Sequence, residues 1–438
     1  MAAAAAKCWE NKKRRASNEE EEDCVQLFQE FLRIETVSFT GVESGAYEEA
    51  SQFLQKHCKS IGLQNVRAIP VVEGKPIVIA TWPGSDSSLG AILLNSHYDV
   101  VPAVLESWHC EPFKAIRERD TGRIYARGTQ DMKCVCMQHL LSIRRLIREG
   151  HTPKRTIHLT FVPDEEIGGK DGMKAFTLTK EFKDLNITVA LDEGLANVDD
   201  AYTVFYGERT AKWLIFQASG PTGHGSRFIQ DTAPSKIISV CEKALKYRAE
   251  QEKDLNWNGA GCAHAQAKKL GDVTTLNLTM LETGVTTNGG ETFSLNVIPT
   301  EARAGFDIRI TPKTPVKEIE EMLDRWAAEA GENVSWALAP WIAKQKDHYI
   351  SALEGIWFER LEKALSIACS KKVEPEIFPA ATDSRFLREL NIPAFGFSPM
   401  ANTPILLHEH NEFIDEGVFL EGIDVFTAFL REFASGDD

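Results

Sequence analysis

The stretch "TIHLTFVPDEEIGG", residues 156–169, decides how this chain is read. It is apolar and β-branched up to Pro163, then presents Asp164, Glu165 and Glu166 before two glycines. That is the pattern of a buried strand ending in a turn that carries three carboxyls. Runs of the same kind flank it: "IVIATW" (77–82), "GAILLNS" (90–96) and "ITVALDEG" (187–194). Helical patterns separate them. From Asn18, a good helix cap, Val25, Phe28, Phe31 and Leu32 recur at helical spacing, and Tyr47, Ala50, Phe53, Leu54 and Ile61 do so up to Gly62. A further helix is predicted from about Asp131 to Glu149, closed by Gly150. Alternating strands and helices of this kind give an α/β domain with a largely parallel central sheet.

Beyond "TVFYGERT" (203–210) the rhythm changes to strand, helix, two strands, helix, strand: "AKWLIFQASG", 231–252, "TTLNLTML", "EARAGFDIRI", 315–330 and "NVSWALA". This βαββαβ order is that of a ferredoxin-like module inserted into the first domain. The α/β pattern then resumes, with helices near 351–370 and 413–433 and a strand at "PAFGFSP". The expected organisation is a disordered tail over 1–20, a catalytic domain over 21–207 and 340–438, and an inserted lid over 208–339. The Gly- and Asn-rich stretch 255–272 reads as an exposed loop within the lid.

Composition narrows the function classes. The formal net charge of −15 opposes nucleic acid or an anionic membrane surface as a partner. No apolar run reaches the roughly 18 residues of a membrane span. The nine cysteines are scattered and show no zinc-ribbon spacing, which favours a reducing compartment, and the short apolar start "MAAAAAKCW" lacks the core of a secretory signal. The cytoplasm is the expected location.

Ligands of open α/β sheets bind beyond the carboxyl ends of the strands. There the sequence places His97 and Asp99 after "AILLNS", the three acids 164–166 after "TFVP", and Asp192 and Glu193 after "TVAL". Asp131 opens a helix, and His408 follows "TPILL". Two imidazoles among several carboxylates suit a pair of divalent metals, which repel unless a carboxylate bridges them. We assign Asp131 as the bridge, His97 and Asp192 to one metal, and Glu166 and His408 to the other. Asp99 is expected to orient His97 through its other ring nitrogen. Neighbours in an extended segment point opposite ways, so Glu165 is free to act as a general base while Glu166 binds metal. Asp164 is left to local structure.

At these positions the sequence resembles the di-zinc amidohydrolases, the family of the aminoacylases, acetylornithine deacetylase, succinyl-diaminopimelate desuccinylase and carboxypeptidase G. "LLNSHYDVVP", "YARGTQDMKC", "PDEEIGG", "ALDEG" and "LLHEHNE" occur in the family's order and spacing, and the resemblance runs from about residue 24 onward. It implies two zinc ions per subunit and Glu165 as the base. It also implies that His224 of "GHGSRF" reaches the partner subunit's site in a homodimer and stabilises the oxyanion. Asn296, Arg309, Thr382 and Arg385 match positions that line the substrate pocket. The sequence departs from the pattern at Tyr98, where the aminoacylases have Thr, and at Gly225, where Ala is common.

The resemblance implies hydrolysis of N-acyl-L-amino acids, chiefly N-acetyl forms with uncharged side chains. A dipeptidase or another N-acyl metabolite deacetylase is the nearest rival on the same scaffold, and a non-catalytic binding protein is the rival of another class. The absence of His-Glu-x-x-His disfavours a one-zinc peptidase, and the absence of a phosphate loop disfavours an ATPase.

Overall fold

The structure is a computed structural model that describes residues 15–256, 270–287, 291–340 and 347–436. The chain divides into two compact units. One comprises Met1–Tyr206, Ile350–Glu376 and Thr382–Asp438; the other comprises Gly207–Tyr349 and Ile377–Ala381.

The first unit opens with α1 (Glu19–Leu32). Asn18 caps it by accepting the Glu21 N–H at 2.9 Å, and four glutamates in the first turn complement the positive end of the helix dipole. Residues 1–14 of the expected tail lie outside the described residues. The remainder of that tail is held in place: the Ala16 N–H donates to Glu416 at 2.6 Å, and α1 itself begins at Glu19. Then follow α2 (Ala46–Ser60), β1 (Gln64–Val72), β2 (Lys75–Trp82), β3 (Ala91–His97), α3 (Lys133–Arg148), β4 (Ile157–Val162), β5 (Ile187–Asp192) and β6 (Ala201–Glu208).

The second unit contributes β7 (Thr210–Ser219), α4 (Ala233–Asn256), β8 (Thr275–Thr283), β9 (Glu301–Ile310), α5 (Val316–Ala330) and β10 (Val334–Leu338). This is the βαββαβ order, and its four-stranded sheet runs β8-β9-β7-β10 with antiparallel neighbours, as a ferredoxin-like module requires. Its core includes Leu214, Phe216, Ile237, Phe306, Ile308 and Leu323. Of the loop expected over 255–272, residues 257–269 lie outside the described set, α4 runs on to Asn256, and Leu270–Asp272 form a 3-10 turn.

Returning to the first unit, the chain adds α6 (Ile356–Ala368), β11 (Lys372–Phe378), α7 (Ser384–Glu389), β12 (Ala394–Phe397) and α8 (Glu416–Phe433). The large sheet has the order β1-β2-β4-β3-β5-β12-β6-β11. Its centre, β4-β3-β5-β12, is parallel, whereas β1 and β2 on one side and β6 on the other join antiparallel. The parallel strands β3 and β4 are buried along their whole length because both faces are covered. Side chains alternate between two cores: Ile92 and Leu94 pack with Phe28, Phe397 and Phe426, while Leu93 points to the opposite layer with Ile77, Phe176 and Leu387. In-register pairing of β3 with β4 brings His97 beside Val162, so the polar residues after these strands emerge at one edge of the sheet. No described helix is long and apolar enough to cross a membrane.

Candidate metal centre

At that edge five of the expected residues converge. The Asp131 carboxylate lies between two imidazoles, with Oδ1 3.0 Å from His97 Nε2 and Oδ2 3.3 Å from His408 Nε2. Glu166 Oε2 is 2.8 Å from the same His408 nitrogen. Two overlapping donor groups result, His97–Asp131–Glu166 and His97–Glu165–Glu193, each with its ligand atoms within 4.8 Å of one another.

His97 is fixed from behind. Its Nδ1 lies 3.0 Å from the Asp99 carbonyl oxygen, which can only accept, so Nδ1 carries the proton and Nε2 presents a lone pair. The Asp99 carboxylate is also 3.3 Å from Nδ1. The same carboxylate holds the acidic turn. Its two oxygens accept the backbone N–H groups of Glu165 and Glu166, each at 3.2 Å, and the Ser38 hydroxyl at 2.9 Å. Asp99 thus fixes the imidazole and the turn relative to each other. Tyr98 points away, donating its hydroxyl to the Pro76 carbonyl at 2.7 Å.

The turn itself differs from the expected extended segment. Glu165–Ile167 form a short 3-10 turn entered through Asp164, whose backbone is left-handed at φ 64°. A non-glycine residue holds that conformation only when its surroundings impose it. Here Tyr47 donates to Asp164 at 3.0 Å and Lys75 pairs with its other oxygen. Gly169, at φ 61°, follows; a Cβ there would meet Asp383 Oδ1 at 2.4 Å, so the turn needs glycine at this point. Glu165 and Glu166 still diverge, as expected, but the tight turn separates them rather than strand alternation.

Asp192, expected as a ligand, lies outside both donor groups. One of its oxygens accepts from Asn95 Nδ2 at 3.0 Å and the other from the Ser384 hydroxyl at 2.8 Å. Its neighbour Glu193 faces the centre instead, with Oε2 3.5 Å from His97 Nε2. Here, at the extended end of β5, strand alternation does separate the two neighbours.

The electrostatics favour cations. Four carboxyls, Asp131, Glu165, Glu166 and Glu193, surround two imidazoles. Burial and then the Glu193 charge push the Glu165 carboxyl well up; burial and Asp131 raise Glu166 to about 7; burial and Asp131 raise Glu193. The hydrogen bonds that Asp131 and Glu166 accept from it push the His408 imidazole up to about 10. Burial alone would lower His97, yet the carboxylates of Glu193, Asp131 and Asp99 raise it. With Nδ1 carrying its proton toward the Asp99 carbonyl, the 3.0 Å approach of His97 Nε2 to Asp131 Oδ1 requires a proton or a metal between them. Glu166 Oε1 is buried without a hydrogen-bond partner. An orphaned oxygen beside imidazole and carboxylate donors fits a site for divalent metal.

His408 is itself in the left-handed region at φ 59°, and its side chain is 53% exposed, so its placement rests on the loop beneath it. That loop contains a functional candidate with no local signal in the sequence. Glu412, the last residue of "HEHNE", is fully buried and ion-pairs with Arg127 at 2.8 Å.

Of the residues assigned to substrate, Thr382 is buried at the start of "TDSR", and Arg385 donates to the Gly168 carbonyl at 2.9 Å, beside the acidic turn. His224, Asn296 and Arg309 belong to the second unit. There Gly225 N–H donates to the Asn296 carbonyl at 2.7 Å, placing His224 and Asn296 together. The Ser226 N–H donates to His224 Nδ1 at 3.2 Å, which leaves Nε2 as the protonated nitrogen of a neutral ring. A Cβ on Gly225 would lie 3.4 Å from the Asn296 oxygen, an ordinary contact, so an alanine would also fit at this position. Arg309 pairs with Asp307 at 2.8 Å on its own strand.

The chain is 46% identical over 410 residues to Aminoacylase-1 of Dictyostelium discoideum, covering 93% of this chain and 96% of that one. It is 43% identical over 414 residues to Aminoacylase-1 of Homo sapiens, with coverage of 94% and 95%. Among solved structures, a metallo-carboxypeptidase of the M20 family from Sulfolobus solfataricus matches with a TM-score of 0.66 at 20% identity, over 95% of this chain and 99% of that one. A dinuclear metal-binding peptidase of the M20 family from Bacillus subtilis matches with a TM-score of 0.60 at 15% identity, over 94% and 98%. The family model "Peptidase family M20/M25/M40" matches residues 93–432, the span that carries every donor of the metal centre, and the chain belongs to that family of metal-dependent hydrolases.

Proposed function

We propose that this protein hydrolyses N-acyl-L-amino acids, chiefly N-acetyl forms with uncharged side chains, to a carboxylate and a free L-amino acid. The observation that carries the reading is the Asp131 carboxylate set between His97 and His408, with Glu166 and Glu193 at its sides. The aminoacylases among its relatives supply the substrate class. Two zinc ions are assigned per chain, with His97 and Glu193 at one, Glu166 and His408 at the other, and Asp131 shared. Bound there, the pair supplies Lewis acidity, polarising the scissile carbonyl and lowering the pKa of the attacking water.

Glu165 takes a proton from that water and returns it to the departing amine as the C–N bond breaks; burial and the Glu193 charge raise its carboxyl, which makes it a stronger proton acceptor than an exposed glutamate. His224 Nε2–H is the proposed donor to the tetrahedral oxyanion, supplied by the second copy of a homodimer. Exposed Phe228, Phe293 and Leu295 on the same unit support an interface there. Arg385 is assigned to the substrate carboxylate, with Thr382, Asn296 and Arg309 lining the pocket. The cytoplasm is the proposed compartment.

Two results test this reading. Mixed His224→Ala and Glu165→Gln subunits, each inactive alone, are expected to regain part of the activity; verified heterodimers that stay inactive would rule out the shared site. N-acetyl-L-methionine is expected to be cleaved in preference to dipeptides, and preference for a dipeptide would replace the substrate while keeping the scaffold.

A further inference from the structure

We infer that Glu412 is a positioning residue that locks together the two loops carrying Asp131 and His408, and so sets the spacing of the metal pair. This rests on the two-metal reading above. Glu412 is 0% exposed, and the loop 127–131 wraps its carboxylate. Oε1 accepts from Gln130 N–H at 2.7 Å, the Thr129 hydroxyl at 3.2 Å and Asp131 N–H at 3.4 Å. Oε2 accepts from Gly128 N–H at 3.1 Å and Arg127 Nη1 at 2.8 Å. The proposed bridging residue is therefore held through its own backbone.

Arg127 extends the lock to the other loop. It donates from Nη1 to the Glu409 carbonyl at 3.2 Å and from Nη2 to the His408 carbonyl at 3.4 Å. Gln130 adds a third tie, donating to the Pro404 and Phe413 carbonyls at 3.0 and 2.8 Å and accepting Leu406 N–H at 3.0 Å. His97 depends on none of this, because Asp99 orients it from another strand end. The arrangement is thus unequal: loosening Glu412 reaches the shared Asp131 only through its longest contact, the Asp131 N–H at 3.4 Å, but frees His408, an exposed residue in a left-handed conformation, whereas His97 keeps its own support from Asp99. Groups that orient ligands in this way are worth about 10–100-fold in metal affinity. An amide at 412 keeps the size but turns one acceptor into a donor facing donors, and leaves Arg127 without its counter-charge.

The test is calorimetric titration of zinc into full-length protein stripped of metal, using wild type, Glu412→Gln, His408→Ala and the double variant. Wild type is expected to show two binding events. Glu412→Gln is expected to weaken by about 10–100-fold the event that His408→Ala abolishes, to change the other much less, and to add little in the His408→Ala background. Arg127→Lys, which keeps the charge but cannot reach both loops, carries the same expectation and serves if Glu412→Gln fails to fold. Two events of wild-type affinity in either variant, or equal weakening of both events, would overturn the positioning role alone. Absence of metal binding by wild type would instead overturn the two-metal reading and this inference with it.

Discussion

Glu165→Gln is expected to lower kcat by about 10²–10⁴-fold while the protein keeps its metal. The amide preserves the length and shape of the side chain in the 3-10 turn, and the hydrogen bonds that Asp99 accepts from the turn are to its backbone, so the fold at residues 164–169 is undisturbed. What is lost is the basic oxygen. Glu166, one residue on, does not substitute, because its Oε2 is engaged at 2.8 Å from His408 Nε2. Kinetics beside metal analysis give the answer: near wild-type turnover in a fully loaded variant would remove Glu165 from the mechanism, and loss of metal would make it a ligand.

The second large effect separates two neighbours. Glu193→Ala is expected to lose metal from the His97 side and most of the activity with it, since Glu193 faces His97 Nε2. Asp192→Asn is expected to keep both metals and to lower stability by about 1–3 kcal/mol, because its new amide must face Asn95 or Ser384, both of which donate to it now. Metal content after dialysis and thermal unfolding distinguish them. The reverse pattern, with metal lost in Asp192→Asn and retained in Glu193→Ala, would restore Asp192 as the ligand.

The choice between Asp192 and Glu193 shows where local sequence stops being informative. Strand ends are legible because apolar runs stop at polar residues, and that locates His97, the 164–166 acids and the 192–193 pair at one edge. Which of two adjacent acids faces inward is set by partners elsewhere in the chain, Asn95 on β3 and Ser384 at the start of α7, and no local pattern announces them. Glu412 is hidden for a similar reason: its partners span residues 127–131, and a buried acid among histidines reads as surface charge until the loops are closed. The βαββαβ order of the second unit is plain, because each element is long and regular. The edge strands are not: β1 is mostly exposed or half-buried, and β11, "KVEPEIF", contains Pro and two acids. The parallel order expected for the sheet describes its centre, whose strands are buried, whereas of the antiparallel flanks only the pairing of β1 with β2 follows from a short connection.

The most direct test of the account is release of methionine from N-acetyl-L-methionine by the purified protein, measured as prepared, after chelation, and after zinc is restored. Activity is expected to disappear on chelation and to return as zinc approaches two per chain. Turnover that survives complete removal of metal, or none from a protein carrying two zinc ions, would contradict it.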